Sequence, residues 1–335
     1  MNNNLKYFIY FVESAMLKVR VYFHRKEITM IQLEKLVKKN LPKEKEGKVA
    51  SYIPALAEVN PEQLGVALYD LEDGEIGEAG QSEVRFAIES ISKVITLMLA
   101  IKKIGIQEVF KHVGSRQTGF AFNSILNMEI ERAKYPLNPF INAGAIATTS
   151  MVVSKTGDDA FEEILSFARD ICNDPNLYLD QIIYHSERRT GNLDRSLAYY
   201  MESKNMMLGD VVTSLDTYFK QCSMMVTARS LANLGAVLAN GGVKPWDNKR
   251  IISDEEARCI KSLMMTTGLY NQSGTYSRLI GVPTKSGVGG GLMVAAPHKY
   301  GIGIFSPALD KAGNSIAGLD LLRDIVDRLE LDIFD

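Results

Sequence analysis

The sequence predicts a mixed α/β (α+β) protein, in which one antiparallel sheet built from both ends of the chain packs beside a lobe of helices. Strand patterns with short turns lie near both ends, and helix patterns fill the middle. The length of 335 residues, with 46% hydrophobic and 23% charged residues, is typical of a chain that buries a sizeable core. We therefore expect a cleft between sheet and helices in which a small ligand binds.

The strand patterns form two pairs. Leu64–Leu71 and Glu75–Ala79 flank a short acidic turn with a glycine and predict a hairpin. Near the C-terminus, Gly291–Ala296 and Tyr300–Phe305 flank a second short turn. Because hairpin partners are neighbours in a sheet, the two pairs would supply the sheet. An amphipathic helix at Ser315–Leu331 would follow them.

The central helices are predicted from apolar periodicity and from end signals. They are Ser90–Lys103, Ile141–Val153, Asp158–Cys172, Asp194–Met206, Asp210–Gln221 and Ala228–Asn240. Two glycines after the last helix form a common C-terminal stop. The sheet lobe would thus comprise about residues 30–85 and 250–335, and the helical lobe about residues 86–249.

Residues 1–29 differ in character from the rest of the chain. They contain a short apolar and aromatic run interrupted by charges, which is too short for a membrane span of about 20 residues. The segment also lacks the small-residue cleavage site of a secretory signal. We interpret it as a disordered extension or as a wrongly assigned start before Met30, with a weak membrane-surface segment as the alternative. Residues 30–335 are predicted to form a single domain.

Composition excludes several classes of function. The balance of 38 Lys and Arg against 40 Asp and Glu argues against a nucleic-acid binder. The three cysteines show no CxxC pair and the four histidines no HExxH motif, so the sequence predicts neither a metal site nor a disulfide framework. We expect a cytoplasmic protein without a membrane span. Any catalysis would rely on serine, lysine, tyrosine or carboxylates.

The segment Ser90-Ile91-Ser92-Lys93 contains an S-x-x-K motif. Residues three apart share a helix face, so Lys93 would lie beside the Ser90 hydroxyl. Lysine accepts a proton only when neutral, which requires its pKa to fall by about three units from about 10.4. Apolar neighbours would supply the necessary burial. The motif alone is weak, because a chain of this composition contains about one by chance. Ser92 would point to another face and serve structure.

Two K-[ST]-G triplets follow the S-x-x-K motif. Lys155-Thr156-Gly157 ends a helical run and is interpreted as a loop with a helix cap. Lys285-Ser286-Gly287-Val288 precedes further glycines and a C-terminal strand, where backbone approaches a ligand closely. S-x-x-K with a late K-[ST]-G is the arrangement of penicillin-recognising serine hydrolases. Their third element, S-x-N, matches Ser203-Lys204-Asn205 at a helix end, which we interpret as coincidence.

Several other polar residues have both a functional and a plain structural interpretation. Asn142 lies at the head of a helix and is a good N-cap residue. Glu187 falls in a predicted loop, where most carboxylates are solvated. Tyr52 and Tyr270 also fall in predicted loops, where tyrosines usually pack half-buried. The residues alone leave these alternatives open.

Taken in order, residues 30–335 resemble the serine-dependent glutaminases of bacterial and kidney type, which have a β-lactamase/transpeptidase-like fold. The matching segments are Tyr52-Ile53-Pro54, Ser90-Ile91-Ser92-Lys93, Phe122-Asn123-Ser124, Asn138-Pro139, Asn142-Ala143-Gly144-Ala145-Ile146, Ser186-Glu187, Tyr218-Phe219-Lys220-Gln221-Cys222-Ser223, Leu238-Ala239-Asn240-Gly241-Gly242, Gly268-Leu269-Tyr270, Lys285-Ser286-Gly287-Val288 and Ser306-Pro307-Ala308-Leu309-Asp310. The resemblance implies hydrolysis of L-glutamine to L-glutamate and ammonia without a cofactor. It also implies a homo-oligomer, a dimer or a homotetramer.

The resemblance also implies a role for each site residue. Ser90 would be the nucleophile, Lys93 its general base and Tyr270 a proton relay, while Tyr52 would close over the substrate. The backbone amides of Ser90 and Val288 would form the oxyanion hole. The substrate-binding set would be Ser90, Asn142, Glu187, Asp194, Tyr218, Tyr270 and Val288.

Chemistry agrees with the part of this set that binds the amino-acid end of the substrate. The α-ammonium group of glutamine needs a carboxylate, which Glu187 supplies. Its α-carboxylate needs hydrogen-bond donors, such as Asn142 and Tyr218.

The chain departs from the family pattern at a few positions. Asp194 takes the place of a substrate-binding asparagine, and Leu193 that of an arginine. An extra carboxylate would strengthen the hold on the ammonium group and repel the α-carboxylate. Glu89 stands where glutamine is common, and Arg116-Gln117-Thr118 stands where Glu-Pro-Ser is usual.

Two other functions remain as alternatives. One is another S-x-x-K amidohydrolase, such as a β-lactamase or an esterase, which would turn over β-lactams or esters faster than glutamine. The other is a sensor that binds glutamine without releasing ammonia. The presence of Ser90, Lys93 and Tyr270 together argues against the sensor.

Overall fold

The computed structural model describes residues 32–130 and 134–335, so the predicted extension at residues 1–29 lies outside the described part. The described chain contains eight strands. They are β1 (Gly65–Asp70), β2 (Ile76–Gly80), β3 (Phe86–Ala87), β4 (Tyr178–Leu179), β5 (Met224–Val226), β6 (Thr284–Ser286), β7 (Gly291–Ala296) and β8 (Tyr300–Phe305). Five of them form an antiparallel sheet in the order β2-β1-β8-β7-β6.

The order of the large sheet shows that both ends of the chain build it. Strand β1 pairs with β2 on one side and with β8 on the other, with Gly65 opposite Phe305. The two predicted hairpins, β1 with β2 and β7 with β8, are present. The prediction of a mixed fold with an antiparallel sheet is therefore confirmed.

The helices fill the middle of the chain and cover the sheet. They are α1 (32–40), α2 (Ser92–Ile104), α3 (Ile106–His112), α4 (Leu126–Ile130), α5 (Asn142–Thr156), α6 (Ala160–Ile171), α7 (Gln181–Thr190), α8 (Asn192–Ser203), α9 (Val211–Cys222), α10 (Ala228–Ala239), α11 (Asp254–Thr267), α12 (Ser273–Leu279) and α13 (Ile316–Leu329). The helices predicted from periodicity are all present, with ends shifted by a few residues. Within the described ranges, no helix is long and apolar enough to cross a membrane.

Helix α10 lies directly on the large sheet. Ala228 and Ala232 are fully buried, and the facing positions on β8 are glycines. A Cβ atom on Gly303 would lie 1.9 Å from the Ala228 carbonyl oxygen, and one on Gly301 would lie 2.1 Å from the Ala232 carbonyl oxygen. Only glycine allows the helix and strand backbones to come this close. On the opposite face, α1 and α13 cover the sheet in a separate apolar cluster.

Helix α2 forms the centre of the helical lobe. Its residues from Val94 to Ile101 are buried on every side, which is typical of a helix inside a core rather than at a surface. They pack in one apolar cluster with residues of α5, α6 and α10. The start of α2 therefore lies at the junction between the helical lobe and the sheet.

Some local predictions are wrong. Glu187, expected in a loop, lies in the last turn of α7, a helix that begins after Asp180, whose carboxylate accepts hydrogen bonds from two backbone amides. Helix α11 was not predicted, although Ser253 and Glu256 form a capping box at its start, which is a signal visible in the sequence. The small sheet β3-β5-β4 was also missed, because strands of two or three residues show no periodicity.

Candidate active site

The nucleophile candidate lies on a strained turn between β3 and α2. Glu89–Ile91 form a 3-10 turn that leads directly into α2, so Ser90 and Lys93 keep nearly helical spacing. Glu89 has a φ of +50°, a left-handed conformation that costs a non-glycine residue about 1–3 kcal/mol. The Ser92 hydroxyl is buried and donates to the Glu89 carbonyl oxygen over 2.6 Å. That hydrogen bond stabilises the turn. Ser90 is mostly buried, with 8% of its surface exposed.

Lys93 is buried, with 1% of its surface exposed. Its Nζ atom donates to the Phe140 carbonyl oxygen over 3.2 Å and to Asn142 Oδ1 over 2.7 Å. Burial lowers the pKa of Lys93 to about 8, although nearby acidic groups, Asp194 among them, oppose this. A sizeable fraction of the amine is therefore neutral in mildly alkaline solution and can accept a proton.

Tyr270 and the K-S-G segment lie on the sheet side of Ser90. The Tyr270 hydroxyl lies beside the hydroxyls of Ser90 and Ser286; burial raises the pKa of Tyr270, and the nearness of these two groups opposes the rise. Among the described residues, no group makes a hydrogen bond with the Tyr270 hydroxyl within the usual distance and angle. The fully buried Lys285 places its Nζ 4.9 Å from the centre of the Tyr270 ring. Burial, together with the charge of Lys93, holds the pKa of Lys285 well below its usual range. Tyr270 thus stays protonated, with Ser90 beside its hydroxyl and Lys285 beside its ring.

The loop between β6 and β7 lies against the backbone of the nucleophile turn. A Cβ atom on Gly289 would lie 2.1 Å from the Ala87 carbonyl oxygen. One on Gly287 would lie 2.7 Å from the Ile88 carbonyl oxygen, and 3.4 Å from the Ser90 nitrogen. Because both flanking positions must be glycine at this distance, the backbone of Val288 is held close to that of Ser90. Two backbone amides at such a position can serve as an oxyanion hole.

A chain of hydrogen bonds links the helical side of the site. Asn142 accepts from Lys93 through Oδ1 and donates through Nδ2 to Asp194 Oδ1 over 2.7 Å. The interpretation of Asn142 as an N-cap is wrong, because Ile141 occupies that position and Asn142 is the first residue of α5. The Asn142 side chain instead links Lys93 to Asp194. Asp194 lies in the first turn of α8, and burial raises the pKa of its carboxyl.

Three carboxyl groups, those of Glu89, Glu187 and Asp194, lie close together. Glu187 is 9% exposed, and burial raises its pKa to about 7. Asp194 faces it and raises that pKa further, while the charge of Lys93 lowers it. Glu89 lies within hydrogen-bonding reach of Glu187. The interpretation of Glu187 as a solvated surface acid is therefore wrong.

Two tyrosines complete the set expected from the sequence. Tyr218, on α9, is 4% exposed, and burial with the charges of Asp194 and Glu187 raises its pKa. Tyr52 has 59% of its surface exposed, yet desolvation of its hydroxyl raises the pKa of that group. The structure thus brings every site residue expected from the sequence to one place.

The sequence did not identify two of the contacts around these residues. Lys93 is held by a backbone carbonyl, that of Phe140, which no sequence pattern marks. The Phe122 ring packs 4.8 Å from the Tyr270 ring, measured between centres. Together they line part of a small cavity, about 70 Å³, beside the site. Among the described residues, no group of three or more metal-ligating side chains lies close enough to hold an ion.

Comparison with known proteins identifies the family. The family model "Glutaminase" matches residues 47–334. Glutaminase 1 of Clostridium perfringens is 57% identical over 304 residues, which cover 91% of this chain and 99% of that protein. The chain belongs to the glutaminase family. Glutaminase 2 of the same organism is 47% identical over 302 residues, which cover 90% of this chain and 99% of that protein.

Solved structures of glutaminases share the fold. A probable glutaminase of Bacillus subtilis superimposes with a TM-score of 0.84 at 34% identity, covering 91% of this chain and 98% of that one. The probable glutaminase from the same organism in complex with 6-diazo-5-oxo-L-norleucine gives a TM-score of 0.82 at 34% identity, over 91% and 97% of the two chains. The fold is the β-lactamase-like fold of glutaminases, as the sequence predicts.

Proposed function

We propose that this member of the glutaminase family hydrolyses L-glutamine to L-glutamate and ammonia through an acyl-enzyme on Ser90, with Lys93 as the general base. The observation that carries the proposal is the meeting of three groups at one site. They are a serine on a strained turn, a buried lysine whose pKa is lowered to about 8, and a buried tyrosine beside that serine. These are the parts that nucleophilic catalysis by serine requires.

The first half of the reaction forms the acyl-enzyme. Neutral Lys93 takes the proton of the Ser90 hydroxyl as Ser90 Oγ attacks the side-chain amide carbon of glutamine. The amides of Ser90 and Val288 stabilise the oxyanion, and one such donor is typically worth about 10²- to 10³-fold in rate. The carbon–nitrogen bond then breaks, and the leaving nitrogen takes the proton from Lys93, relayed by Tyr270, to leave as ammonia.

The second half hydrolyses the ester. A water molecule gives a proton to Lys93 and attacks the acyl carbon, and the bond to Ser90 Oγ breaks as Ser90 regains a proton. Glutamate leaves. A covalent complex of the Bacillus subtilis glutaminase with 5-oxo-L-norleucine, formed from 6-diazo-5-oxo-L-norleucine, supports a covalent route, at 34% identity and a TM-score of 0.81.

The substrate-binding residues we propose face the same space. Glu187 binds the α-ammonium group, and its burial strengthens the attraction. Asn142 and Tyr218 bind the α-carboxylate. Tyr52, the most exposed member of the set, closes over the bound substrate.

The test is ammonia release from L-glutamine by the purified protein, measured beside β-lactam and ester substrates. We expect glutamine turnover that exceeds turnover of the other substrates. Glutamine binding without ammonia release would indicate a sensor, and preferential β-lactam or ester turnover would indicate another S-x-x-K hydrolase.

The pH dependence of the reaction follows from Lys93. Because the neutral amine is the active form and its pKa is about 8, we expect kcat/KM to rise with pH by about tenfold from pH 7 and to level off above about pH 9. Initial rates between pH 6 and 10 at low glutamine concentration measure this. A constant or falling profile between pH 7 and 9 would contradict the role of Lys93 as the base.

Replacement of Asp194 by asparagine tests the main departure from the family pattern. We expect Asp194→Asn to lower KM for glutamine several-fold, because a charge that repels the α-carboxylate is removed while the acceptor for Asn142 remains. The rise of kcat/KM should also move to lower pH, because Asp194 raises the pKa of Lys93. Steady-state kinetics at pH 7 and pH 9 measure both effects. An unchanged or higher KM would show that the carboxylate helps binding.

We also propose that the protein acts in the cytoplasm and assembles as a homo-oligomer, a dimer or a homotetramer. The absence of metal and disulfide patterns supports the first proposal, and the resemblance to the family supports the second. Sedimentation velocity of the purified protein gives the assembly state. A single species at the mass of one 37.2 kDa chain would overturn the oligomer proposal.

A further inference from the structure

Glu89 is a buried acid that takes no part in the reaction steps proposed above. It is 3% exposed and precedes Ser90 on the strained turn. Its stem lies against the β6–β7 loop, because a Cβ atom on Gly287 would be 3.3 Å from Glu89 Cβ and one on Gly289 would be 3.4 Å from Glu89 Cγ. Backbone strain and tight packing thus fix the direction of this side chain.

The Glu89 side chain is aimed at another acid. Its carboxyl group lies within hydrogen-bonding reach of that of Glu187, and both groups are buried. Two ionised carboxylates cannot hydrogen-bond to each other, so this contact requires a proton between them. Burial and the charge of Glu187 raise the pKa of Glu89 far more than the charge of Lys93 lowers it. The proton therefore resides on Glu89, and Glu187 accepts it as a hydrogen bond.

The environment of the other carboxyl oxygen of Glu89 also indicates that this group is neutral. Within the part of the chain that the structure describes, Glu89 Oε1 is buried and has no hydrogen-bond partner. An unpartnered buried oxygen is much more costly on a carboxylate than on a neutral acid.

We propose that Glu89 is a positioning residue, which as a neutral acid donates a hydrogen bond to Glu187 and holds that carboxylate ionised and oriented for the α-ammonium group of the substrate. The proposal rests on the proposed function, which assigns ammonium binding to Glu187.

The surroundings of the pair contain one further acid and one base. Asp194 raises the pKa of both members, and Lys93 lowers both. The remaining groups that face Glu89 are neutral, because burial raises the pKa of each; they are Tyr52, Tyr218, Cys222 and Tyr270. The hydrogen bond from Glu89 opposes the rise in the pKa of Glu187. Loss of this donor should therefore move the titration of Glu187 to higher pH.

Two matched variants separate this role from a merely structural one. Glu89→Gln keeps a donor without an ionisable group, so we expect KM for glutamine within about threefold of the native value and an unchanged loss of affinity below pH 7. Glu89→Met keeps the length and removes the donor, so KM should rise about tenfold or more while kcat changes less. Its loss of affinity should begin at higher pH. KM and kcat between pH 5.5 and 9 provide these values.

An infrared spectrum tests the pair without turnover. At neutral pH we expect a carbonyl band of a protonated carboxylic acid in the native protein and its loss in Glu89→Gln. If the band is absent, or if Glu89→Gln raises KM as much as Glu89→Met does, the proposal is wrong. If Glu89→Met does not fold, the band and the Glu89→Gln profile still decide. Failure of the native protein to release ammonia would instead contradict the proposed function.

Discussion

Replacing Ser90 with alanine will reduce ammonia release from L-glutamine by about 10⁴-fold or more, since loss of a serine nucleophile typically costs that much or more. The variant should fold normally, because the Ser90 side chain is partly open to the site, while the hydrogen bond that holds the turn comes from Ser92. A coupled assay for ammonia with the purified variant measures the loss, and thermal unfolding monitors the fold.

Ser92→Ala is the matched control for Ser90→Ala. It removes a hydroxyl two residues away that faces the Glu89 carbonyl oxygen and the Cys222 sulfur rather than Tyr270. We expect it to lose stability and some activity, because the bond that holds the turn is removed, but to keep far more activity than Ser90→Ala, because the nucleophile remains. Residual activity above about one per cent in Ser90→Ala would place the nucleophile elsewhere.

Replacement of Lys93 is the second change for which we expect a large loss of kcat/KM. Both Lys93→Met and Lys93→Arg should lower kcat/KM by about 10²- to 10⁴-fold, the usual contribution of a general base. The arginine variant is the more informative one, because it keeps the positive charge and the donors to Phe140 and Asn142 but cannot lose its proton at these pH values. The measurement is kcat/KM from pH 7 to 10.

The two variants also distinguish a base from a structural cation. If Lys93 only bound Asn142 and Phe140 through its charge, arginine would retain activity and methionine would not. Equal loss in both, together with loss of the rise in activity near pH 8, would assign proton transfer to Lys93. An arginine variant with more than about a tenth of native activity would contradict this assignment.

The elements with strong periodicity could be predicted closely from the sequence. The bounds of β7 and β8 agree with the prediction to the residue, because apolar runs and a short turn define both ends. Helix α7 was missed, since its residues carry many charges and a weak apolar pattern, and its N-cap at Asp180 was the only clear start signal. Elements with a clear local pattern are therefore predictable from the sequence, and elements with a weak pattern are not.

The residues of the candidate site could be predicted from the sequence, but the contacts between them could not. The S-x-x-K and K-S-G motifs located Ser90 and Lys285, and the family resemblance supplied Glu187 and Asp194. That Asn142 bridges Lys93 and Asp194 depends on how α2, α5 and α8 pack, which no local pattern records. Tertiary contact overrode the N-cap preference of Asn142 for the same reason.

The pairing of β1 with β8 sets the order in which the protein acquires activity during its synthesis. Ser90 emerges from the ribosome early, but Val288 and β8 emerge about 200 residues later, on the order of 10 to 40 s at about 5–20 residues per second. Until then, β1 lacks its central partner and the loop that faces Ser90 does not exist. The nascent chain therefore carries an exposed strand edge and no catalytic capacity. The chain can hydrolyse glutamine only after β8 has paired with β1 and the loop that carries Val288 has reached Ser90.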